Sequence, residues 1–101
     1  MPKLLARPEP NGTRYVFDCP GCRARHAFWV QDPARGPSWV FDGDMESPTV
    51  SPSVLVRGVD ESGGDFNCHI FIRRGQIEFL GDCTHPLAGQ IVAMEDVESS
   101  G

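Results

Sequence analysis

The run Cys68-His69-Ile70-Phe71-Ile72-Arg73-Arg74-Gly75-Gln76-Ile77-Glu78-Phe79-Leu80-Gly81-Asp82-Cys83 decides the fold, because it reads as two alternating strands about a glycine turn. With Arg74-Gly75 as a two-residue turn, Arg73 faces Gln76, Phe71 faces Glu78 and His69 faces Leu80. That register gathers Ile70, Ile72, Ile77 and Phe79 on one face with Cys68 and Cys83. It leaves His69, Phe71, Glu78 and Asp82 on the other. Arg73-Arg74-Gly75 also suits a three-residue loop with a left-handed glycine, and that one-residue slip puts His69 on the face of Cys83. The aliphatic pattern favours the first register.

Outward from the hairpin, short apolar runs recur between Gly, Pro, Asp and Asn, at 13–18, 24–30, 38–42, 49–57, 68–73, 76–80 and 90–94. They read as strands. Apolar residues nowhere keep a helical spacing beyond about two turns, and only 86–89 suits a helical turn. The expectation is an all-β, small single domain of six to seven short antiparallel strands over residues 13–94. An extended leader (1–12) precedes it and an acidic flexible tail (95–101) follows. Pro48 and Pro52 interrupt one run; proline cannot donate to a ladder, so that run is an edge strand or polyproline-like. Trp29, Trp39, Phe28 and Phe41 read as core aromatics, and Asp42, Asp44 and Glu46 as a solvated turn.

A chain of 101 residues buries only roughly 60 to 70% of its unfolded surface, so its thin core would gain from a staple. The four cysteines can supply one. The first ten residues lack the apolar middle of a signal peptide, which points to the cytoplasm, where thiols serve more often as metal ligands than as disulfides. Cys19-Pro20-Gly21-Cys22 between two strands has the form of a zinc knuckle, with Gly21 expected to supply unusual backbone angles. The other half of a tetrahedral site lies in Cys68-His69 and Asp82-Cys83-Thr84-His85. The favoured set for Zn2+ is Cys19, Cys22, Cys68 and Cys83, with His85 as the alternate ligand and His69 replacing Cys68 if the register slips.

His69, with Asp82 and Glu78 as diagonal neighbours, is a candidate carboxylate-oriented histidine. The candidate catalytic residues are therefore His69, Asp82 and His26. No familiar motif supports them: His-x-Glu, H-E-x-x-H, G-x-S-x-G, a P-loop and a dinucleotide fingerprint are all absent. Nine basic against 14 acidic side chains give a net charge of −5, which disfavours binding to nucleic acid. No apolar run is long enough for a membrane helix.

The separated motifs Asp18-Cys19-Pro20-Gly21-Cys22, Trp39-Val40-Phe41-Asp42-Gly43, Ser47-Pro48-Thr49-Val50-Ser51-Pro52-Ser53, Cys68-His69 and Gly81-Asp82-Cys83-Thr84-His85-Pro86 resemble a small zinc-binding family of unknown function encoded in phages and prophages (DUF6527-like). Some members carry an ammonia monooxygenase label, which thiol-rich coordination does not support. In outline the cysteine pattern is also similar to zinc-ribbon and β-tent folds. The leading functional expectation is a zinc-stabilised binding module acting on a protein partner, plausibly a host factor. The alternative is a small zinc-dependent hydrolase with His and Asp around an open metal position.

Overall fold

Each expected run forms a strand, and one more precedes them. The computed structural model describes residues 2–32, 34, 36, 38–59 and 62–97. Among these the strands are Leu5–Glu9 (β1), Gly12–Cys19 (β2), Ala24–Gln31 (β3), Val40–Phe41 (β4), Val50–Val59 (β5), Asp65–Arg73 (β6), Gln76–Phe79 (β7) and Ile91–Ala93 (β8). They make two antiparallel sheets, ordered β1-β2-β3 and β4-β5-β6-β7-β8. At 86–89 there is only a turn, closed by Ala88 N–H to His85 O and Gln90 N–H to Leu87 O.

The hairpin takes the two-residue register: Arg73 pairs with Gln76, Phe71 with Glu78 and Ile70 with Phe79. Both turn residues are left-handed, Arg74 at φ 50° and Gly75 at φ 76°, the conformation whose twist matches the flanking strands. The one-residue slip is thereby excluded. Ile70, Ile72, Ile77, Phe79, Cys68 and Cys83 are all buried, on the face the alternation assigned to the core.

Within the expected leader, β1 pairs with β2 from Leu5 opposite Val16 to Glu9 opposite Gly12. Pro8 is tolerated because β1 lies at the sheet edge. In the expected tail, Val97 is buried and its N–H bonds to Pro2 O, while 98–101 lie outside the described residues.

The two sheets face each other across one core. Leu4, Phe17 and Phe28 from the first pack with Val50, Val54, Ile70, Ile72, Ile77 and Phe79 from the second. Tyr15, Phe28 and Phe41 form an aromatic group, with Tyr15 edge-on to Phe41 at 4.7 Å, so Phe28 and Phe41 do serve the core. The acidic turn is spent on its own backbone. Asp42 Oδ1 accepts from Asp44 and Thr49 N–H, and Asp44 Oδ1 accepts from Glu46 and Ser47 N–H.

Pro48 precedes β5, and Pro52 sits at an irregularity within it. Pro48 is fully buried, and the β5–β6 register shifts between Val50, opposite Ile72, and Val54, opposite Ile70. Residues 51–53 therefore bulge, which bends the strand and re-aims the side chain that follows the second proline. That side chain is Ser53.

Candidate functional site

The knuckle is built by the end of β2 and the start of β3. Arg23 N–H closes the turn onto Cys19 O at 2.8 Å, and Arg23, not Gly21, takes the left-handed angle (φ 54°). Gly21 is needed for space: a Cβ there would lie 2.3 Å from His85 Cε1. His85 cannot easily yield, because Leu87 N–H donates to its Nδ1, Cys68 Sγ lies 3.6 Å from its Nε2 and Phe79 meets its ring edge-on at 4.7 Å. Gly21→Ala is accordingly expected to destabilise the fold by about 1–3 kcal/mol, as overpacked sites do, which urea denaturation would measure.

Pairing carries the knuckle to a histidine. Cys19 lies opposite Ala24 and Phe17 opposite His26, so His26 is the diagonal neighbour of Cys19 on the buried face. Cys19, Cys22, His26 and Cys68 bring one ligand atom each to within 4.8 Å of one another, a group that could hold a metal ion. Three come from the first sheet and Cys68 from the second. Cys19 Sγ and Cys68 Sγ are 3.9 Å apart. Two thiolates on one tetrahedral zinc, each at about 2.3 Å, would stand about 3.8 Å apart.

Two further observations suit a cation there. His26 is only 7% exposed and its Nε2 has no hydrogen-bond partner among the described residues, an expensive state for a buried polar atom unless something else occupies it. The thiols also oppose one another's ionisation. A hydrogen bond with Cys68 holds Cys19 down to about 4, against burial and with help from His26. Burial then pushes Cys22 up to about 12, and the hydrogen bond with Cys19, followed by burial, pushes Cys68 up strongly. One thiolate forms readily, and the next needs a positive charge beside it.

The expected set divides between two groups. Cys19, Cys22 and Cys68 lie together with His26, and Cys83 forms a second group with Cys68 and His85, so Cys68 belongs to both. Cys83 Sγ accepts from His69 N–H and donates to His69 O, both at 3.3 Å, so as a thiol it clamps the backbone of His69.

On the opposite face of the same sheet, His69 and Asp82 meet as the register implies, with Nδ1 3.1 Å from Asp82 Oδ2. Glu78 turns away to Arg73 at 3.3 Å. Asp82 is fixed where the chain leaves β7: Leu80 N–H bonds to His69 O, Thr84 N–H bonds to Asn67 O, and Asn67 Nδ2 donates to Asp82 O at 3.0 Å and to its Oδ2 at 3.2 Å. Desolvation, the largest single influence, pushes the Asp82 carboxyl up, but hydrogen bonds from His69, its own backbone and Asn67 together outweigh it and hold the group below its ordinary value. An ionised Asp82 only accepts, so Nδ1 donates to it, and in the neutral imidazole Nε2 is then the acceptor.

What faces Nε2 is a residue the sequence reading missed. Ser53 Oγ lies 2.9 Å from it. His69 pairs across from Leu55, so Ser53 is its diagonal neighbour once the bulge has turned β5. Ser53, His69 and Asp82 thus form a hydrogen-bonded relay on three successive chain segments, partly open to solvent. Beside it an open cleft of about 530 Å³ is lined by Leu55, Arg57, Phe66 and Asn67 together with His69 and Asp82. His26, the third catalytic candidate, lies with the cysteines. No described helix is long and apolar enough to cross a membrane.

No curated protein and no solved structure matches the chain. A family model described as "Bacterial ubiquitination-like system serine protease (BubE)" matches residues 3–80 of the 101. That span includes the knuckle, Ser53 and His69, and the chain belongs to the BubE family.

Proposed function

We propose that the protein is a serine protease serving a bacterial ubiquitination-like system, with Ser53 as nucleophile, His69 as general base and Asp82 as the carboxylate that orients it. The observation that carries this reading is the Ser53 Oγ to His69 Nε2 distance of 2.9 Å, continued by 3.1 Å from Nδ1 to Asp82. Nucleophile, base and orienter within hydrogen-bond reach is the arrangement that acyl transfer requires. His69 takes the Ser53 proton as Oγ attacks a carbonyl carbon, and Asp82 stabilises the imidazolium that forms. His69 then returns the proton to the leaving amine, and water repeats the sequence to release the acyl group. The match to a family described as serine proteases supports the reaction class, and its span, residues 3–80, holds Ser53 and His69 and ends before Asp82.

The protein partner expected from the sequence becomes, on this reading, the polypeptide substrate, and the phage resemblance would make that substrate a host factor. Labelling by a fluorophosphonate probe that maps to Ser53 in peptide mass spectrometry is the direct test. Labelling of another residue, or of none, would overturn the assignment.

The metal is, on the same reading, a structural Zn2+ held by Cys19, Cys22, His26 and Cys68, with no part in the chemistry. His26 is preferred over His85 as the histidine ligand because the His85 ring already has partners at both nitrogens, whereas His26 Nε2 has none. His26→Ala should lower zinc below one ion per chain in native mass spectrometry, while Cys83→Ser keeps it. The reverse pattern would reinstate the all-cysteine set.

A further inference from the structure

The strand that carries Ser53 has a free edge beside it. Among the described residues, β4 covers β5 only at Val50 and Ser51. Beyond that, the direction of the β5 backbone groups follows from its other neighbour. His69 spends its backbone away from β5, its C=O accepting from Leu80 and its N–H going to Cys83 Sγ; Asn67 likewise exchanges hydrogen bonds with Thr84. In an antiparallel ladder, residues facing such positions point their own amides away from that neighbour. Leu55 faces His69 and Arg57 faces Asn67, so the N–H and C=O of Leu55 and Arg57 point out of the sheet edge. The Trp39 indole N–H, which donates to Ser53 O at 3.2 Å, marks the same edge and closes its end.

A groove of about 380 Å³ runs along this edge, between β3 and β5, with Trp29, Trp39, Leu55 and Arg57 among its walls. Its outward side chains are apolar and cationic by turns: Leu55 is 46% exposed, Val59 is 70% exposed, and Arg57 between them makes no ion pair among the described residues. An uncovered edge of this kind is a template for one more strand.

Resting on the protease reading, we infer that the substrate is held as an extended polypeptide segment added to the free edge of β5, with an acidic side chain opposite Arg57 and the scissile bond level with Ser53. Main-chain bonds to Leu55 and Arg57 give affinity for any extended sequence, and the cross-strand charge pair at Arg57 selects among them. Trp39 stops the added strand at Ser53, so the chain must rise over the nucleophile there. Leu55 and Arg57 line both this groove and the cleft beside His69 and Asp82, and Trp39 bonds Ser53 O; that link to the relay argues for substrate in this groove over a second copy of the chain.

The probe is a positional-scanning library of acetylated octapeptides, with cleavage read by mass spectrometry. The expected result is a preference for Asp or Glu at one position, which Arg57→Glu reverses to Lys or Arg while the variant melts like the parent. Single backbone N-methylation of the best peptide should lower kcat/KM about tenfold at alternate positions only, since each lost main-chain hydrogen bond is worth about 1 kcal/mol or a little more. Charge preference untouched by Arg57→Glu, or N-methylation without effect at every position, would overturn the inference. A protein whose Ser53 takes the fluorophosphonate but which cuts no library member would also overturn it, leaving the triad intact; failure of the labelling would remove the protease reading itself.

Discussion

Ser53→Ala should abolish proteolysis while leaving the folded protein as stable as the parent. The hydroxyl is half-buried on the outward face of β5, and its hydrogen-bond partner is His69 Nε2, so its loss opens no core cavity and strands no backbone group. A change at such a surface site moves stability within about 0.5 kcal/mol. Loss of the nucleophile of a serine triad, by contrast, lowers kcat by roughly 10⁴- to 10⁶-fold. His69→Ala should give a loss of the same order, because residues acting as one unit are not additive. The measurement is kcat against an intact protein or peptide substrate alongside a urea melt. Activity surviving within tenfold in Ser53→Ala would refute the nucleophile, whatever the family match.

The second large effect is on folding. Stripping the metal with a strong chelator, or replacing Cys68 by Ser, should unfold the protein outright. Zinc held by cysteine and histidine contributes roughly 10–16 kcal/mol of apparent binding free energy, and a domain of this size has about 5–15 kcal/mol of net stability in all. The ion therefore outweighs the margin. Cys68 is fully buried and is the one member of the proposed ligand set carried by the second sheet, so its loss would also remove the metal's link between the two core layers. Near-UV circular dichroism with and without chelator reads the outcome. A chelated protein that keeps its near-UV signal and a cooperative melt would show that the metal is dispensable to the fold.

The hairpin was legible because two independent signals agree there. Alternating Ile70, Ile72, Ile77 and Phe79 fix which face is buried, and Arg74-Gly75 fixes the turn. The meeting of His69 with Asp82 followed from that register. β1 was not legible, since Pro2, Pro8 and Pro10 mask a strand that survives only at a sheet edge. Ser53 was hidden for a related reason: it follows Pro52 in a run whose pairing is broken by a bulge, and no local motif marks a serine whose histidine and carboxylate partners arrive 16 and 29 residues later. A nucleophile elbow advertises itself by glycines around the serine; a strand bulge needs none. His26 left a clearer trace. It follows Cys22 by four residues in the strand leaving the knuckle, and two-residue pleating from Cys19 and Phe17 would have turned it inward.

Cys68 and His69 are consecutive, as are Asp82 and Cys83, and each pair divides between the buried cysteine-bearing face and the opposite face that carries the Ser53–His69–Asp82 relay. The two functions therefore share one frame along the hairpin. An insertion or deletion of a single residue in β6 would turn Cys68 outward and His69 inward at the same moment, which on the proposed assignments destroys staple and chemistry together. Length between Ser53 and Asp82 can then vary in the β5–β6 loop, where no ladder counts residues, while 68–83 tolerates substitution but not a change in number.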